Sequence, residues 1–344
     1  MIQRVPRGVV PYLLLLPGIG WLLLFYIYPA IQLFLVSLWT GTLSQGYNMT
    51  WNFGIYAEGF TEYWPWIVRS AAYGGLATIL AFLLGYPLAY TIAFKGGKYK
   101  SLLLFLVIAP FFTSFLLRTI SWKLILSDNG LLLGPLKDVG LMSDDFQILA
   151  TPTAVIAGIT YNLLPFMTLP LYVALEKVDY RLLEAANDLY AGPWRRGGTI
   201  AGAIVGGAIA AFAGLVIGGD AVVPAIAGAV VGGVIGAFLI TEAFVRVTFP
   251  LALPGVFAGS LLTFIPAVGD FVNAELLGNP RSQMIGNVIQ ARFLEISDYP
   301  MASALSFILM AAIIIGVLLY ARVLGTEELV GGTGVGEAHG GGRA

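Results

Sequence analysis

Long uncharged runs alternate with short polar segments along most of this 344-residue chain. Each run can hold about 17–25 residues of apolar helix, which is the length needed to cross the hydrocarbon core of a membrane. The pattern therefore predicts eight membrane-spanning helices and an all-α polytopic membrane protein. The charge-free runs that hold them are 8–57, 70–94, 101–117, 146–175, 197–219, 221–241, 247–269 and 299–321.

The composition supports lipid as the main solvent of the chain. Hydrophobic residues make up 58% of the sequence and charged residues 11%, whereas ordinary soluble domains carry about a quarter charged residues. There is no cysteine, and the one histidine, His339, lies in a glycine-rich stretch. These counts exclude disulfides and thiolate metal sites, and they leave no histidine-based metal or catalytic site.

The distribution of basic residues predicts an orientation. If the loops are assigned alternately to the two sides, twelve of the eighteen Lys and Arg residues share the side of the N-terminus. The side richer in Lys and Arg is cytoplasmic in most membrane proteins. We therefore expect a multi-pass protein of the cell (plasma) membrane with both termini in the cytoplasm, and with segments 176–196 and 242–246 on that side. Of the outer loops, 47–66 is rich in aromatic residues and carries two glutamates, and 127–145 carries four aspartates.

The two runs between 197 and 241 differ from the others in their small residues. A spacing of four places small residues on one helix face, where two backbones can approach closely. The pattern predicts a glycine-zipper transmembrane hairpin that enters and leaves on the cytoplasmic side. The residues at this spacing are Gly198, Gly202, Gly206, Ala210, Gly214, Gly218, Gly228, Gly232 and Gly236.

A short amphipathic helix precedes this hairpin. Arg181, Glu184 and Asp188 recur at a spacing that places them on one helix face, and leucines and alanines fill much of the remainder. Two interpretations are open from these residues alone. The helix either seats in a groove on a soluble partner or lies solvated at the membrane interface without one.

The flanks of the hairpin carry a family resemblance. When "LLEAANDLYAGPWR" is joined to "AFVRVTFPLALPG", the product resembles the signature of ABC-importer permeases, in which Glu-Ala-Ala precedes a glycine and a Leu-Pro pair at fixed spacings. The spacing is restored only if 196–242 is an insertion. The resemblance thus implies a six-span permease core with an inserted hairpin. Its parts are 1–195, 196–242, 243–326 and a tail at 327–344, whose glycine-rich end we expect to be disordered.

Further stretches are similar to permeases of the spermidine/putrescine type. They are "FLLRTISWKLILSDNGLL" (115–132), the segments 161–186 and 265–294, and "DYPMASALSFILM" (298–310). The resemblance implies the permease subunit of an ATP-driven importer, to which an extracytoplasmic binding protein delivers a polyamine. A second permease subunit, identical or paralogous, is implied as well.

The resemblance also implies that ATP and Mg²⁺ are bound by separate ATPase subunits. The chain itself is expected to bind no cofactor, metal or nucleic acid and to be no enzyme. Its "KGGKYKS" at 95–101 lacks the spacing of a phosphate-binding loop.

The resemblance implies that eleven residues couple this chain to the ATPase. They are Arg181, Glu184, Ala185, Ala186, Asp188, Gly192, Pro193, Trp194, Arg195, Val247 and Pro250. One position departs from the family pattern, because Tyr190 stands where the glycine belongs and Gly192 follows two residues later. Since that glycine lets the chain bend, either Gly192 supplies the bend or coupling is weaker than in relatives.

Three polar residues follow the uncharged run 247–269 and are candidates for the substrate pathway. They are Asp270, Asn273 and Glu275. An ionisable side chain at membrane depth faces a cavity, water or a charged partner, and a polycation favours carboxylates along its path. The alternative is that the two carboxylates lie at the outer interface and pair with Arg118 or Arg281.

Two other functions are alternatives for the same residues. An ABC permease for a different small solute would share the signature. A self-contained channel or secondary transporter needs charges buried in the spans or internal repeats, and the spans are nearly free of charge apart from Asp270. The two prolines in the region 161–170 further predict a broken helix beside the pathway.

Overall fold

The structure is a computed structural model that describes residues 10–131, 133–140, 143, 146–189, 207 and 244–324. The predicted tail lies outside these residues, and so does the predicted hairpin except for residue 207. The described α-helices are, in chain order from α1 to α12, Val10–Leu22, Tyr28–Ser37, Gly54–Tyr90, Lys100–Ile108, Phe115–Ile125, Leu133–Asp138, Pro152–Glu176, Tyr180–Leu189, Phe249–Val268, Val272–Leu277, Ile285–Leu294 and Tyr299–Leu324.

Short segments of other helical type extend or join these helices. The π-helical segments are Leu23–Ile27, Thr91–Lys95 and Phe244–Thr248, and the 3₁₀ segments are Gly97–Tyr99, Ala109–Phe112 and Pro280–Ser282. Two strands, β1 at Trp39–Thr42 and β2 at Gly46–Met49, form an antiparallel hairpin.

Five described helical runs are long and apolar enough to cross a membrane. They are Leu14–Ser37, Gly54–Lys95, Pro152–Glu176, Arg246–Val268 and Tyr299–Arg322. A sixth span results if Gly97–Phe112 and Phe115–Ile125, which meet at 94°, are counted as one. This number agrees with the six spans predicted for the permease core.

The bend corrects the expectation of a straight third span at 101–117. The helical path stops at Thr113 and Ser114, whose backbones are extended with ψ of 147° and 137°. Helix α5 then begins at Phe115 in a new direction. Hydropathy did not reveal this break because the residues directly before it, at 111–112, and directly after it, at 115–117, are all apolar.

The helix break expected in 161–170 is wrong. Helix α7 is continuous from Pro152 to Glu176, with Pro165 and Pro170 inside it. Proline is tolerated inside membrane helices, and α7 is held on several sides, since two thirds of its most apolar stretch is buried. Packing thus overrides the local weakness at each proline.

The β-hairpin is an exception to the predicted all-α architecture. Its register pairs Trp39 with Met49 and Gly41 with Tyr47. Gly41 has φ of +126°, and a Cβ at this position would lie 2.1 Å from the carbonyl oxygen of Gly46. Because only glycine fits such a close approach, this residue permits the hairpin to form.

The chain divides into two compact units, and the first comprises Met1–Ile67 with Ile285–Ala312. Inside it, a Cβ on Gly59 of α3 would lie 3.2–3.4 Å from the side chains of Met301, Leu305 and Ile308 on α12. The rings of Phe34 and Phe307 pack edge to face with centroids 5.6 Å apart. Small and aromatic residues therefore join the helices of this unit.

The second unit comprises Val68–Met284 with Ile313–Ala344, and α7 lies at its centre. Helix α9 packs along α7 at short range. A Cβ on Gly255 would lie 2.5 Å from that of Ala174, and one on Gly259 would lie 2.9 Å from the sulfur of Met167. Absent side chains thus let these two backbones approach, as is common in membrane helix pairs.

Candidate functional site

Helix α8 carries the predicted coupling residues at its surface. It follows Asp179, whose Oδ1 accepts a hydrogen bond from the backbone N–H of Arg181 at 2.9 Å. A carboxylate before the first turn suits the positive end of the helix dipole. Arg181, Glu184 and Asp188 are exposed, whereas Leu183 is buried. Among the side chains of α8 that the structure describes, Leu183 anchors the helix and the charged groups are exposed.

Apolar side chains are exposed on the same helix. Leu182 is 51% exposed and Leu189 is 78% exposed, and Ala185 is also exposed. A surface on which leucines lie between charged residues can bind a partner, because covering exposed leucines is energetically favourable. Ala186 lies within α8 as predicted.

The two flanks of the predicted insertion meet in space. Helix α8 ends at Leu189, and it contacts the π-helical segment Phe244–Thr248 that leads into α9. Val247 is half-buried and Pro250 is exposed. Gly192, Pro193, Trp194 and Arg195 lie outside the described residues.

An aromatic cluster fixes the start of α9. The ring of Phe244 packs edge to face on Tyr86 of α3 with centroids 5.2 Å apart, and it lies 6.0 Å from the ring of Phe249. Tyr86 in turn contacts Phe82 at 5.6 Å. The segment that follows the predicted insertion is thereby held against α3, beside α8.

A buried polar cluster joins α5, α7 and α10 in the same unit. Asn273 is its hub, and its Oδ1 accepts hydrogen bonds from the Nδ2 of Asn162 at 3.1 Å and from the Oγ1 of Thr119 at 3.3 Å. The Nδ2 of Asn162 also reaches the Oγ1 of Thr119 at 3.2 Å. All three side chains are almost completely buried. The cluster thus ties together three elements that are distant in the sequence.

Asp270 contacts the backbone and side-chain nitrogens of Asn273. Its Oδ1 accepts from the backbone N–H of Asn273, and its Oδ2 accepts from the Nδ2, both at 2.8 Å. Burial raises the pKa of the Asp270 carboxyl group above its ordinary value, although the hydrogen bonds from Asn273 act in the opposite direction. The carboxylate therefore fixes the first turn of α10 and reaches the surface only in part.

The ion pairs that were considered for Asp270 are not formed. In the described part of the chain, neither Arg118 nor Arg281 pairs with this carboxylate. Asp270 has an amide as its partner instead, because α10 begins two residues later and offers both donors of Asn273. Glu275 lies on α10 and is exposed, so the two carboxylates occupy different environments.

Arg118 occupies an apolar setting near the bend. Its guanidinium carbon lies 5.3 Å from the ring centre of Phe111 and 5.8 Å from that of Phe115. Its Nε and Nη1 are buried and have no hydrogen-bond partner among the described residues. The aromatic faces supply the attraction that holds the cation at this position.

Thr119 and Asn162 were missed at the sequence level. Each is a polar residue inside an otherwise apolar stretch, which is a signal that a partner exists. The signal did not name the partner, because residues 119, 162 and 273 are brought together only by the packing of α5, α7 and α10.

Comparisons with known proteins were made for the whole chain. A scan against protein-family models finds no match. The chain is 35% identical over 304 residues to the spermidine/putrescine transport system permease protein PotB of Haemophilus influenzae, which covers 88% of this chain and 90% of that protein. It is 32% identical over 302 residues to PotB of Escherichia coli K12, with 88% and 92% covered.

A solved structure shares the fold. It is a chain from the crystal structure of a bacterial ABC transporter involved in the import of the acidic polysaccharide alginate, with a TM-score of 0.63. The alignment covers 92% of this chain and 96% of that chain at 18% sequence identity. At this identity the likeness concerns the architecture of the helices alone.

Proposed function

We propose that this chain, which belongs to the family of PotB-type spermidine/putrescine permeases of ABC importers, translocates polyamines across the cell membrane. The observation that carries the proposal is 35% identity to a named polyamine permease over 90% of that protein. The chain is the non-catalytic transport component, and separate ATPase subunits bind ATP and Mg²⁺. A binding protein outside the membrane delivers the substrate.

The ATPase docks on α8 in this proposal. The support is the exposed face of Arg181, Glu184 and Asp188 together with the exposed Leu182 and Leu189. An amphipathic helix of this kind fits a groove on a soluble partner. The contact between α8 and Phe244–Thr248 allows a push on α8 to reach α9 directly. The residues 192–195 complete the coupling loop on the cytoplasmic side.

A second permease subunit, identical or paralogous, completes the pore. The support is the number of described spans, five or six, which forms half of such a channel by family resemblance. Both termini then lie in the cytoplasm, and the hairpin 196–242 is an accessory to this core.

The pathway for the polyamine passes Asp270, Asn273 and Glu275. Asp270 follows the apolar helix α9 and is half-buried, and Glu275 is exposed on α10. The half-buried carboxylate of Asp270 attracts an organic cation strongly, because little water screens the two charges. Asn273 holds the Asp270 side chain in place.

Uptake by cells tests the proposal. The chain is expressed with its ATPase, second permease and binding protein in a host that lacks its own polyamine uptake, and entry of labelled spermidine is measured with and without excess putrescine. We expect uptake that putrescine inhibits. Uptake of neither polyamine, combined with uptake of another small solute that the binding protein carries, would contradict the substrate assignment while retaining the ABC permease.

A further inference from the structure

An ion pair near α8 has no part in the proposed function described above. The Nζ of Lys100 lies 2.6 Å from the Oε1 of Glu176. Lys100 is the first residue of α4, and Glu176 is the last residue of α7. The Nζ also lies 5.2 Å from the ring centre of Tyr172, one turn earlier on α7. Three contacting groups thus join two helix ends that are 76 residues apart.

Neither charge suits its own helix end. The N-terminus of a helix carries partial positive charge and its C-terminus partial negative charge, so a lysine at the start of α4 and a glutamate at the end of α7 are each mildly unfavourable. Their mutual attraction offsets this cost. The favourable interaction of the pair is therefore between the two helices and not within either one.

The pair contributes little to the stability of the fold. The side chains of Lys100 and Glu176 are 30% and 46% exposed, and ion pairs accessible to water stabilise proteins only weakly. The apolar packing of α7 does not depend on it, since Leu171 and Leu175 are fully buried on the same helix. A role in positioning is left for this contact.

The position of the pair decides what it can hold. Helix α7 ends at Glu176, and the chain turns through Lys177 and Val178, whose backbone N–H groups donate to the carbonyl oxygens of Ala174 and Leu175. The carboxylate of Asp179 then accepts a hydrogen bond from the backbone N–H of Arg181 at the start of α8. Only three residues separate Glu176 from the first residue of α8, so a shift at Glu176 moves the base of this helix.

The other side of the contact is equally constrained. The π-helical segment Thr91–Lys95, which continues α3, contacts α7, and so does α4. Between them, the tight turn at Gly97 has φ of +45° and directs the chain into α4. Lys100 is thus supported by two helices, and it provides a fixed point for the corner between α7 and α8.

We propose that the Lys100–Glu176 pair is a positioning contact for energy coupling, which holds the α7–α8 corner so that motion of α8 is passed to the spans. This inference rests on the proposed function, because it assumes that an ATPase moves α8. Without the pair, α8 still binds the ATPase, but part of its motion is lost as rotation at the corner. ATP is then hydrolysed with less polyamine transported.

Charge exchange in the complete importer tests the inference. The variants are Lys100→Glu, Glu176→Lys and the double variant that carries both changes. Lys98→Glu is the matched control, since Lys98 lies two residues away in Gly97–Tyr99 and forms no ion pair within the described chain. The quantity measured is polyamine transported per ATP hydrolysed, in proteoliposomes with equal amounts of folded complex.

We expect each single reversal to lower this ratio about fivefold or more, because typical coupling free energies correspond to factors of about five and above. The double variant and the control should stay within about twofold of the wild type, because exchange restores the attraction. Single variants that match the control, or a double variant no better than the singles, would overturn the inference.

A second variant distinguishes a loss of coupling from a folding defect. If a reversal reduces the amount of folded complex, Glu176→Gln removes the charge and keeps the size of the side chain, and it should lower the ratio in the same direction. An unchanged ratio in this variant also overturns the inference. If the wild-type complex binds no ATPase or transports no polyamine, the proposed function itself is wrong. If the wild type works and the charge reversals have no effect, only the proposed role of the ion pair is wrong.

Discussion

Helix α8 and the cluster around Asn273 use polar residues in opposite ways. On α8, Arg181 and Glu184 are exposed, and the buried Leu183 fastens the helix to the rest of the unit. In the cluster, Thr119 and Asn162 are buried and direct their donors at one amide oxygen. The first region leaves its polar and charged groups exposed, whereas the second pairs its donors internally and leaves the Oδ1 of Asn162 buried without a hydrogen-bond partner among the described residues.

Function and stability are therefore separable by region. In the proposed importer, a change on α8 removes contacts with the ATPase that exist only in the assembled complex, so the isolated chain should tolerate it. Loss of Asn273 removes an acceptor that two buried side chains share, which costs stability at once. Asp270 belongs to both groups, because it holds Asn273 and is itself half-buried.

The largest effect is expected on α8. Glu184→Lys should abolish polyamine transport and co-purification of the ATPase, with membrane insertion intact. Reversing a charge in a docked contact costs about 2–5 kcal/mol, or about 30-fold or more in affinity. Glu295→Lys serves as the control, since Glu295 is also exposed but lies after α11. Normal uptake by the Glu184 variant would remove the assignment of α8 to coupling.

The next effect belongs to the cluster. Asn273→Leu deprives Asn162 and Thr119 of their common acceptor and should lower the free energy of unfolding by about 2–5 kcal/mol. Thermal unfolding of the purified complex measures this loss. Asn129→Leu, at an exposed position, should change it little. Equal unfolding temperatures for the two variants would mean that the cluster is not a stabilising element.

Asp270→Asn distinguishes a pathway residue from a purely structural one. If the carboxylate attracts the polyamine, uptake per folded complex should fall about tenfold, which corresponds to about 1.4 kcal/mol. ATPase docking and expression should remain unchanged. Uptake is therefore normalised to the amount of folded complex. An unchanged normalised rate would restrict Asp270 to holding Asn273.

The same carboxyl group predicts a modest pH dependence. Because its pKa is raised in the folded protein, the native state keeps this proton at pH values where the unfolded chain has released it. The corresponding stabilisation is complete below about pH 3.9, the unperturbed value, and is lost as pH rises through the raised pKa. Stability of the wild type relative to Asp270→Asn should therefore fall with rising pH, and a constant difference would contradict the shift.

The smallest effect on transport is expected from the inserted hairpin. Replacing Gly202 and Gly206 by leucine should disturb close helix packing without abolishing the pore. The topology is tested separately by labelling a cysteine placed at Asp220. This label is unique, because the chain has no cysteine of its own. Labelling only from the cytoplasm would show that the hairpin does not span.

Hydropathy predicted the long spans well and the turns poorly. The charge-free run 146–175 corresponds to α7, and 247–269 corresponds to α9, since burial in lipid excludes charge over the whole length of a helix. The bend at Thr113 depends on two backbone conformations that leave no trace in hydropathy. The β-hairpin depends on the close approach at Gly41.

The candidate sites show the same limit. The exposed face of α8 was predictable because its residues are neighbours on one helix. Asn273 was selected for its position after an apolar run, but its partners at 119 and 162 come from other elements. Periodicity reports on residues within one helix, and it carries no information about which helices meet.

In the proposed function, this chain moves polyamines only when an ATPase acts on α8. The most direct test is spermidine accumulation in proteoliposomes that contain the purified permeases and binding protein, with or without the ATPase and ATP. We expect accumulation against a gradient that requires ATP and is lost in Glu184→Lys. Accumulation by the permeases alone, driven by an ion gradient and unaffected by Glu184→Lys, would contradict it.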